Sequence, residues 1–484
     1  MSSSTAEWVD VLVIGAGLSG ICAGWYLQKR CPDKSYAILE ARDAIGGTWD
    51  FFRYPGIRSD SDMHTLGYSF KPWPGSIPLA DGPLIRDYVR DTAREYGIDQ
   101  HIHFNHKLVS ANWDSVKSEW QSRIKCSDGS EKLFASRFLF QCSGYYDYEE
   151  SYTPAFAGLD TFEGAFVHPQ FWPENLDYEG KRVVVIGSGA TAVTLIPAMA
   201  EKTAHITMLQ RSPSYVAPAP RIDKLARWLH GHAPLRIAHA LVRWRNILLD
   251  SIMFRHTRKH PQRARARLRG YVEAYMGRDF PIDEHFNPHY NPWDQRLCIA
   301  PDGDLFMALR SGKASIITDS VARFDRSGII LASGQHLDAD IVVSATGLKL
   351  QNLGGAQISI DGAFKKTSSL MGYKAMMFSG LPNFLACFGY TNASWTLKCE
   401  LTCAYLCRLI NYMDQKGYRQ AVPQRDPSVE ERPWVEMSSG YLQRGEADLP
   451  KQGDRTPWRI HQNYMRDLLH LRFSSLDDGV LDFA

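Results

Sequence analysis

Two short, β-branched apolar runs, Trp8 to Ile14 and Lys181 to Ile186, each lead straight into a glycine, Gly15 and Gly187. Unbroken apolar runs of this length fit strands buried on both faces of a parallel sheet. The pattern predicts a helix over Leu18 to Arg30 and a second strand over Ser35 to Leu39. An amphipathic helix is expected over residues 83–97, closed by Gly97, a favoured C-cap. Further strands are expected at His103 to Val109, Arg137 to Gly144, His205 to Leu209 and Asp340 to Gly347. A long helix follows over Leu397 to Gln415, with Ser394 or Thr396 as its cap. Gly46 to Asp60 has neither period; its paired glycines, Trp49 and Pro55-Gly56 predict a loop. Pro301 to Asp304 reads as a turn. From Arg221 to Arg269 helical spacing returns with another character. Apart from Asp223 and Asp250 every charge is basic, interleaved with Trp228, Leu229, Leu241, Trp244, Ile247, Leu248, Ile252 and Phe254.

The fold class implied is α/β, with two Rossmann-like dinucleotide-binding domains and a helical insert in the second. The first is expected to comprise residues 1–145 and 365–484, the second 146–364, with the insert at about 220–290. A chain of 484 residues is too long for one ordinary core, which agrees. With 44% hydrophobic and 22% charged residues and a net charge of +2, nothing calls for a nucleic acid partner. The nine cysteines include no C-x-x-C pair and no secretory h-region follows Met1, so a reducing cytoplasmic setting is expected. No apolar run approaches the ~18 residues of a membrane span.

The glycines carry the first chemistry. Gly15 permits a tight turn, Gly17 lets backbone N–H groups reach a pyrophosphate, and Gly20 lets helix and strand approach closely, with Ser19 in the same turn. The second strand ends in Glu40, where a carboxylate accepts the ribose hydroxyls of an adenine dinucleotide without a 2′-phosphate. The second site, Gly187-Ser188-Gly189-Ala190-Thr191-Ala192, followed by Val193, has Gln210-Arg211-Ser212 where that acid would stand. Arginine binds a 2′-phosphate that an acid would repel, so NADPH is favoured over NADH there. No cysteine lies between Cys31 and Cys126, which argues against a disulfide reductase. Metal ligation by His101, His103 and His106, or by Cys399, Cys403 and Cys407 on one helix face, is conceivable, but no metal is expected. Alternation puts His106 on the opposite strand face from the other two, and three buried thiols against a sheet suffice to explain the cysteines.

Gly46 to Asp60 fits G-G-x-W-x-x-x-x-[FY]-P-G-x-x-x-D, and Phe162, Gly164, His168, Trp172 and Pro173 fit F-x-G-x-x-x-H-x-x-x-W-P. With the two glycine sites, these motifs resemble the type I Baeyer–Villiger monooxygenases, flavoenzymes that put one oxygen atom of O2 into a ketone or onto a sulfide. D-Q-R-L-C from Asp294 and G-Y-T-N-A-S-W-T from Gly389 are most similar to the ethionamide-activating mycobacterial subgroup. The resemblance implies FAD on Gly15, Gly17, Ser19, Gly20, Glu40, Thr48, Trp49, Asp50, Phe51, Asp60 and the backbone of Val109. It implies NADPH on Arg58, Ser59, Asp60, the stretch Gly187 to Val193, Arg211 and Ser212. Arg296 becomes the active-site cation, oriented by Asp60, beside a C4a-peroxyflavin. Gln295 stands where many relatives have lysine, one expected 2′-phosphate contact fewer. His168 and the rest of its motif would couple the domains, and Asn392, Ser394 and Trp395 would line a pocket for a small lipophilic ketone or sulfide. An N- or S-oxygenating flavin monooxygenase and a non-catalytic FAD/NADPH-binding sensor are the alternatives. The basic insert is either a solvated face over a packed apolar stripe or a peripheral membrane contact.

Overall fold

In the computed structural model, which describes residues 6–484, the first apolar run forms β1 (Glu7–Ile14), with Val11, Leu12 and Val13 fully buried. It feeds α1 (Leu18–Arg30), and β2 (Tyr36–Glu40) returns parallel to it with Val11 opposite Tyr36. Within the expected loop Thr48 to Phe51 closes one helical turn, α2 (Thr48–Phe51), and a second turn, α3 (Met63–Leu66), is capped by the Asp62 carboxylate. α4 (Gly82–Glu95) ends on Tyr96 rather than Gly97, whose φ of 64° starts the next turn. The strand expected through Val109 is two strands, β3 (Ile102–Phe104) and β4 (His106–Asp114), because Asn105 takes a φ of 59°. Alternation therefore fails there: His103 and His106 meet with ring centroids 5.6 Å apart, while His101 stacks on Tyr36. β5 (Glu119–Cys126) and β6 (Glu131–Gln141) extend the sheet antiparallel, and β6 closes it parallel to β1, Val11 facing Phe138.

The second half is a parallel sheet of β7 (Ala165–Val167), β8 (Arg182–Ile186), β9 (His205–Gln210), β12 (Ala314–Thr318) and β13 (Ile341–Ser344), in the order β12-β9-β8-β13-β7. β8 leads into α5 (Ala190–Met199) as β1 leads into α1. β10 (Val216–Ala219) and β11 (Cys298–Pro301) pair parallel beside this sheet, and α9 (Asp304–Arg310) follows β11. Between β10 and β11 the insert forms three helices, α6 (Lys224–His232), α7 (Leu235–Lys259) and α8 (Pro261–Met276).

The chain rejoins the first sheet earlier than expected. β14 (Gln357–Ile360) pairs with β4 and hairpins with β15 (Ala363–Phe364), while β16 (Phe384–Ala386) pairs with β6. α10 (Trp395–Lys416) packs on α1, and α11 (Tyr464–Phe473) on α10. The expected row of cysteines is split by that crossing. Cys399 and Cys403 pack on Cys22, where burial pushes the Cys22 thiol well above its usual range, and Cys31 approaches the Cys407 carbonyl. Ser394 stands at the N-cap of α10 without capping it. Its hydroxyl bonds that of Thr65 at 2.6 Å, and Thr396 donates to the Leu66 carbonyl. No helix among the described residues is long and apolar enough to cross a membrane.

Candidate active site

Sterics explain the glycines. Gly15 has a φ of +105°, and a Cβ there would stand 2.7 Å from the Cys142 carbonyl oxygen. One on Gly20 would stand 1.8 Å from the Gly15 oxygen. The second half repeats the arrangement: Gly187 has a φ of +140°, and its Cβ would lie 2.3 Å from the Ala345 oxygen. Gly189 is different. A Cβ there meets nothing within 4 Å, so the room it leaves is room for a ligand to reach the backbone at the start of α5. Glu40 is buried, and its two carboxylate oxygens accept from the Ala16 and Arg42 N–H groups at 2.8 and 3.0 Å. Burial raises its pKa; these bonds work against the rise.

From this turn a cavity of about 1450 Å³ runs between the first half and the insert, more than the ~300–1,000 Å³ that suits one drug-sized ligand. Gly15, Gly17, Ser19, Glu40, Thr48, Trp49, Phe51, Ser59 and Asp60 line it, with Arg296, Asn392, Ser394 and Trp395. Gly20 lies behind the turn, packed on Gly15. Asp50 points away, fully buried between Arg42 at 2.6 Å and Arg90 at 2.7 Å, so its carboxylate fixes the loop from behind. His106, Lys107 and Leu108 reach the wall, but Val109 does not. It is the extra residue of a bulge between Leu108 and Ser110. Ser19 holds Trp395 through the indole N–H at 2.9 Å, and Trp395 stacks on Tyr145. Asn392 donates to the Gln462 carbonyl and leaves its buried Oδ1 without a protein partner among the described residues.

Arg296 and Asp60 meet in this wall, with 2.9 Å between guanidinium nitrogen and carboxylate oxygen. Desolvation works to strip the Arg296 proton, but Asp60 and the phenols of Tyr145, Tyr441 and Tyr146 more than offset it, and the pKa lies well above the usual arginine range. Arg58 lies outside the cavity wall, paired with Asp304 at 2.6 Å.

The second glycine turn does not face the cavity. Ser188, Gly189 and Ala190 open onto the surface, whereas Ala192 and Val193 are buried in the core of the second half. The Ser188 hydroxyl donates to the Ser212 carbonyl at 3.1 Å, which sets exposed Arg211 beside the turn. The thiol of Cys298, two residues after Arg296, lies 4.0 Å from the Ser188 carbonyl, which brings the start of β11 against the turn. Of the F-x-G-x-x-x-H-x-x-x-W-P residues, Phe162 packs on Phe324, and Gly164 has no room for a Cβ, which would sit 2.6 Å from the Asp340 oxygen. His168 accepts from the Gln170 N–H through Nδ1 and faces the Gly347 carbonyl with Nε2 at 3.3 Å. Trp172 packs on the core of the second half, and Pro173 begins the turn to Leu176.

Over 480 residues the chain is 51% identical to the FAD-containing monooxygenase EthA of Mycobacterium tuberculosis (strain ATCC 25618 / H37Rv), spanning 99% of this chain and 98% of that one. This chain belongs to the FAD-containing monooxygenases. Identity to the EthA of Mycolicibacterium smegmatis is 47%, over 99% of this chain and 97% of that protein. The family model for flavin-binding monooxygenase-like proteins matches residues 9–224. Among solved structures, an oxidised steroid monooxygenase bound to NADP superposes with a TM-score of 0.73 at 25% identity, over 86% of this chain and 88% of that one. OTEMO in complex with FAD and NADP gives 0.72 at 20% identity over 87% and 88%, a likeness of fold.

Within this FAD-containing monooxygenase, motifs alone miss three phenols around Arg296. Tyr145 and Tyr146 directly follow the Gly144 turn that ends β6, a position that could have drawn attention. Tyr441 has no such signal. It comes from the C-terminal segment, which reaches the Arg296 loop where Ser438 N–H donates to the Asp294 carbonyl.

Proposed function

We propose that this monooxygenase inserts one oxygen atom of O2 into ketones, giving esters or lactones, and oxidises sulfides to sulfoxides, with electrons drawn from NADPH through FAD. The Asp60–Arg296 pair in the cavity wall carries the reading. The residues present fit FAD: a glycine turn with no room for a side chain at Gly15 or Gly20, a buried carboxylate where the ribose is expected, and Trp49 and Phe51 facing the cavity. Bound there, FAD supplies the hydride acceptor and activates O2. NADPH is held at the open start of α5, by Ser188, Gly189 and Ala190, with Arg211 and Ser212.

Arg296 does the work that only a permanent cation can do. A ketone attacked at its carbonyl carbon develops an oxyanion, and a guanidinium already fixed in the cavity wall stabilises that charge without reorganising. Asp60 holds the guanidinium in place, and Tyr145, Tyr146 and Tyr441 surround it. His168 is not a proton carrier in this reading. Burial holds its pKa below the usual value, and both ring nitrogens face backbone groups. Its link to Gly347 lies within the second half, between the segments that follow β7 and β13. Asn392, Ser394 and Trp395 border the substrate, with the Asn392 Oδ1 as a free acceptor.

Replacing Arg296 with Ala tests the reading. NADPH should still bleach the flavin at near wild-type rate, while ester and sulfoxide yields collapse and hydrogen peroxide takes their place. Normal product yield in Arg296→Ala would refute the role.

A further inference from the structure

α7 is apolar on two opposite faces. Ala238, Val242 and Ile247 are buried against the rest of the molecule. On the other side Ile237, Leu241, Trp244, Leu248 and Ile252, spaced by three or four residues, form a stripe of which each member is 42% to 62% exposed. Of the two expectations for the insert, the structure departs from the packed one: the outer stripe is not covered. Trp228 on α6 is exposed as well. An uncovered row of large apolar side chains over several helical turns is a binding surface by default.

Its surroundings say what for. Arg243, Arg245 and Arg258 are engaged by Glu400, Asp223 and Asp294. Lys224, Arg227, Arg236, Arg255 and Lys259 have no carboxylate within ion-pair reach among the described residues. Both acids of this stretch are occupied elsewhere, Asp223 with Arg245 and Asp250 in the cavity wall. A second copy of the chain would bring the same unbalanced positive face against itself, whereas an anionic lipid surface complements it. Two openings flank the stripe. On one side Leu225, Leu249 and Met253 are exposed and also line the active-site cavity, so they form its mouth. On the other, a groove of about 780 Å³ brings Lys29, Arg30, Arg236 and Arg472 beside Trp25 and Trp244, a lining suited to an anionic headgroup above an acyl chain.

We propose that the outer face of α6 and α7 docks on an anionic phospholipid surface, seating the cavity mouth at the level of the acyl chains so that lipophilic substrates enter from the bilayer. The docking stands on geometry and charge alone; the entry of substrate rests on the proposed oxygenation.

The test keeps the two apart by using the full-length oxidised holoenzyme without NADPH or substrate. The protein should co-sediment at low salt with phosphatidylcholine vesicles that contain phosphatidylglycerol, be released at high salt, and ignore phosphatidylcholine alone. Trp emission should shift to the blue and be quenched by lipids brominated in the acyl chain. Arg227→Gln with Arg236→Gln, both exposed positions, should weaken binding about fivefold for each charge removed. Leu241→Ser with Leu248→Ser should abolish acyl-chain quenching while FAD absorption and melting temperature stay at wild type. Should that pair fail to fold, the arginine pair decides alone. Absence of binding at low salt, binding unchanged in the arginine pair, or self-association through α7 without vesicle binding overturns the proposal. If docking holds, anionic vesicles should lower the apparent KM for a water-insoluble ketone dissolved in them. Docking without that effect would overturn substrate entry and leave the oxygenation reading to its own test.

Discussion

Asp60 and Arg296 stand 236 positions apart and meet at 2.9 Å. They are legible in the sequence because each sits in its own motif. The phenols around Arg296 are less legible, since Tyr441 reaches it by a tertiary contact that no local pattern announces. Arg211, the residue proposed to meet the 2′-phosphate, is exposed beside the Gly187 turn, next to the Ser188 to Ser212 bond. Losing a charge-assisted bond to a 2′-phosphate costs about 1.5–3 kcal/mol, roughly ten- to a hundredfold in affinity. Arg211→Ala should therefore raise the KM for NADPH by about that factor and leave NADH unchanged, as steady-state flavin reduction would show. An unaltered preference for NADPH would remove Arg211 from the cofactor site.

At the scale of elements, the long regular pieces follow the apolar pattern closely, α1 over its full Leu18–Arg30 span. Departures occur where a side chain finds a better partner than the local one, or where one residue changes backbone region. Asn105 splits a strand by adopting a positive φ, and Ser394 leaves its own helix for Thr65. Arg243 is such a case hidden in a basic stretch. From α7 it donates to the carbonyls of His64, Thr65 and Gly67 and pairs with buried Glu400 at 2.8 Å, pinning the insert to the first half. Removing one partner strands the other charge in the core, so Arg243→Leu should cost about 3–5 kcal/mol, measured by urea unfolding. Arg243→Leu with Glu400→Leu should recover much of that loss; equal loss in single and double variants would contradict the assigned pairing.

For the whole molecule, the fold class was readable from two strand-glycine-helix repeats, but the point of return was not. β14 pairs with β4 through residues whose local pattern does not say which sheet they join. Several histidines, at separate places in the fold, are held neutral. Burial lowers the pKa of His64, His168 and His285, that of His239 to about 3 and that of His461 to about 4. The unfolded chain binds protons at these sites near the ordinary histidine value of 6.5 before the folded one does. Their contribution to stability is therefore complete above that pH and lost as pH falls toward the folded values. Asp250 runs the other way. Burial and then Asp62 push its carboxyl up to about 7, so its contribution is lost as pH rises through that value. With five histidines held neutral against the three raised carboxyls of Asp250, Glu40 and Asp304, the melting temperature should drop between about pH 6.5 and pH 4.5; a flat or rising profile in calorimetry would contradict the buried neutral state of these rings.

The central claim is that one cavity holds the flavin, the fixed guanidinium and the substrate together, so that reduction by NADPH ends in oxygen transfer. Turnover of a ketone and a thioether under isotopically heavy O2, followed by mass spectrometry, tests it most directly. The account predicts one heavy oxygen atom in each ester or sulfoxide formed and NADPH consumed in step with product. NADPH oxidation that yields only hydrogen peroxide with every ketone and sulfide offered would contradict it.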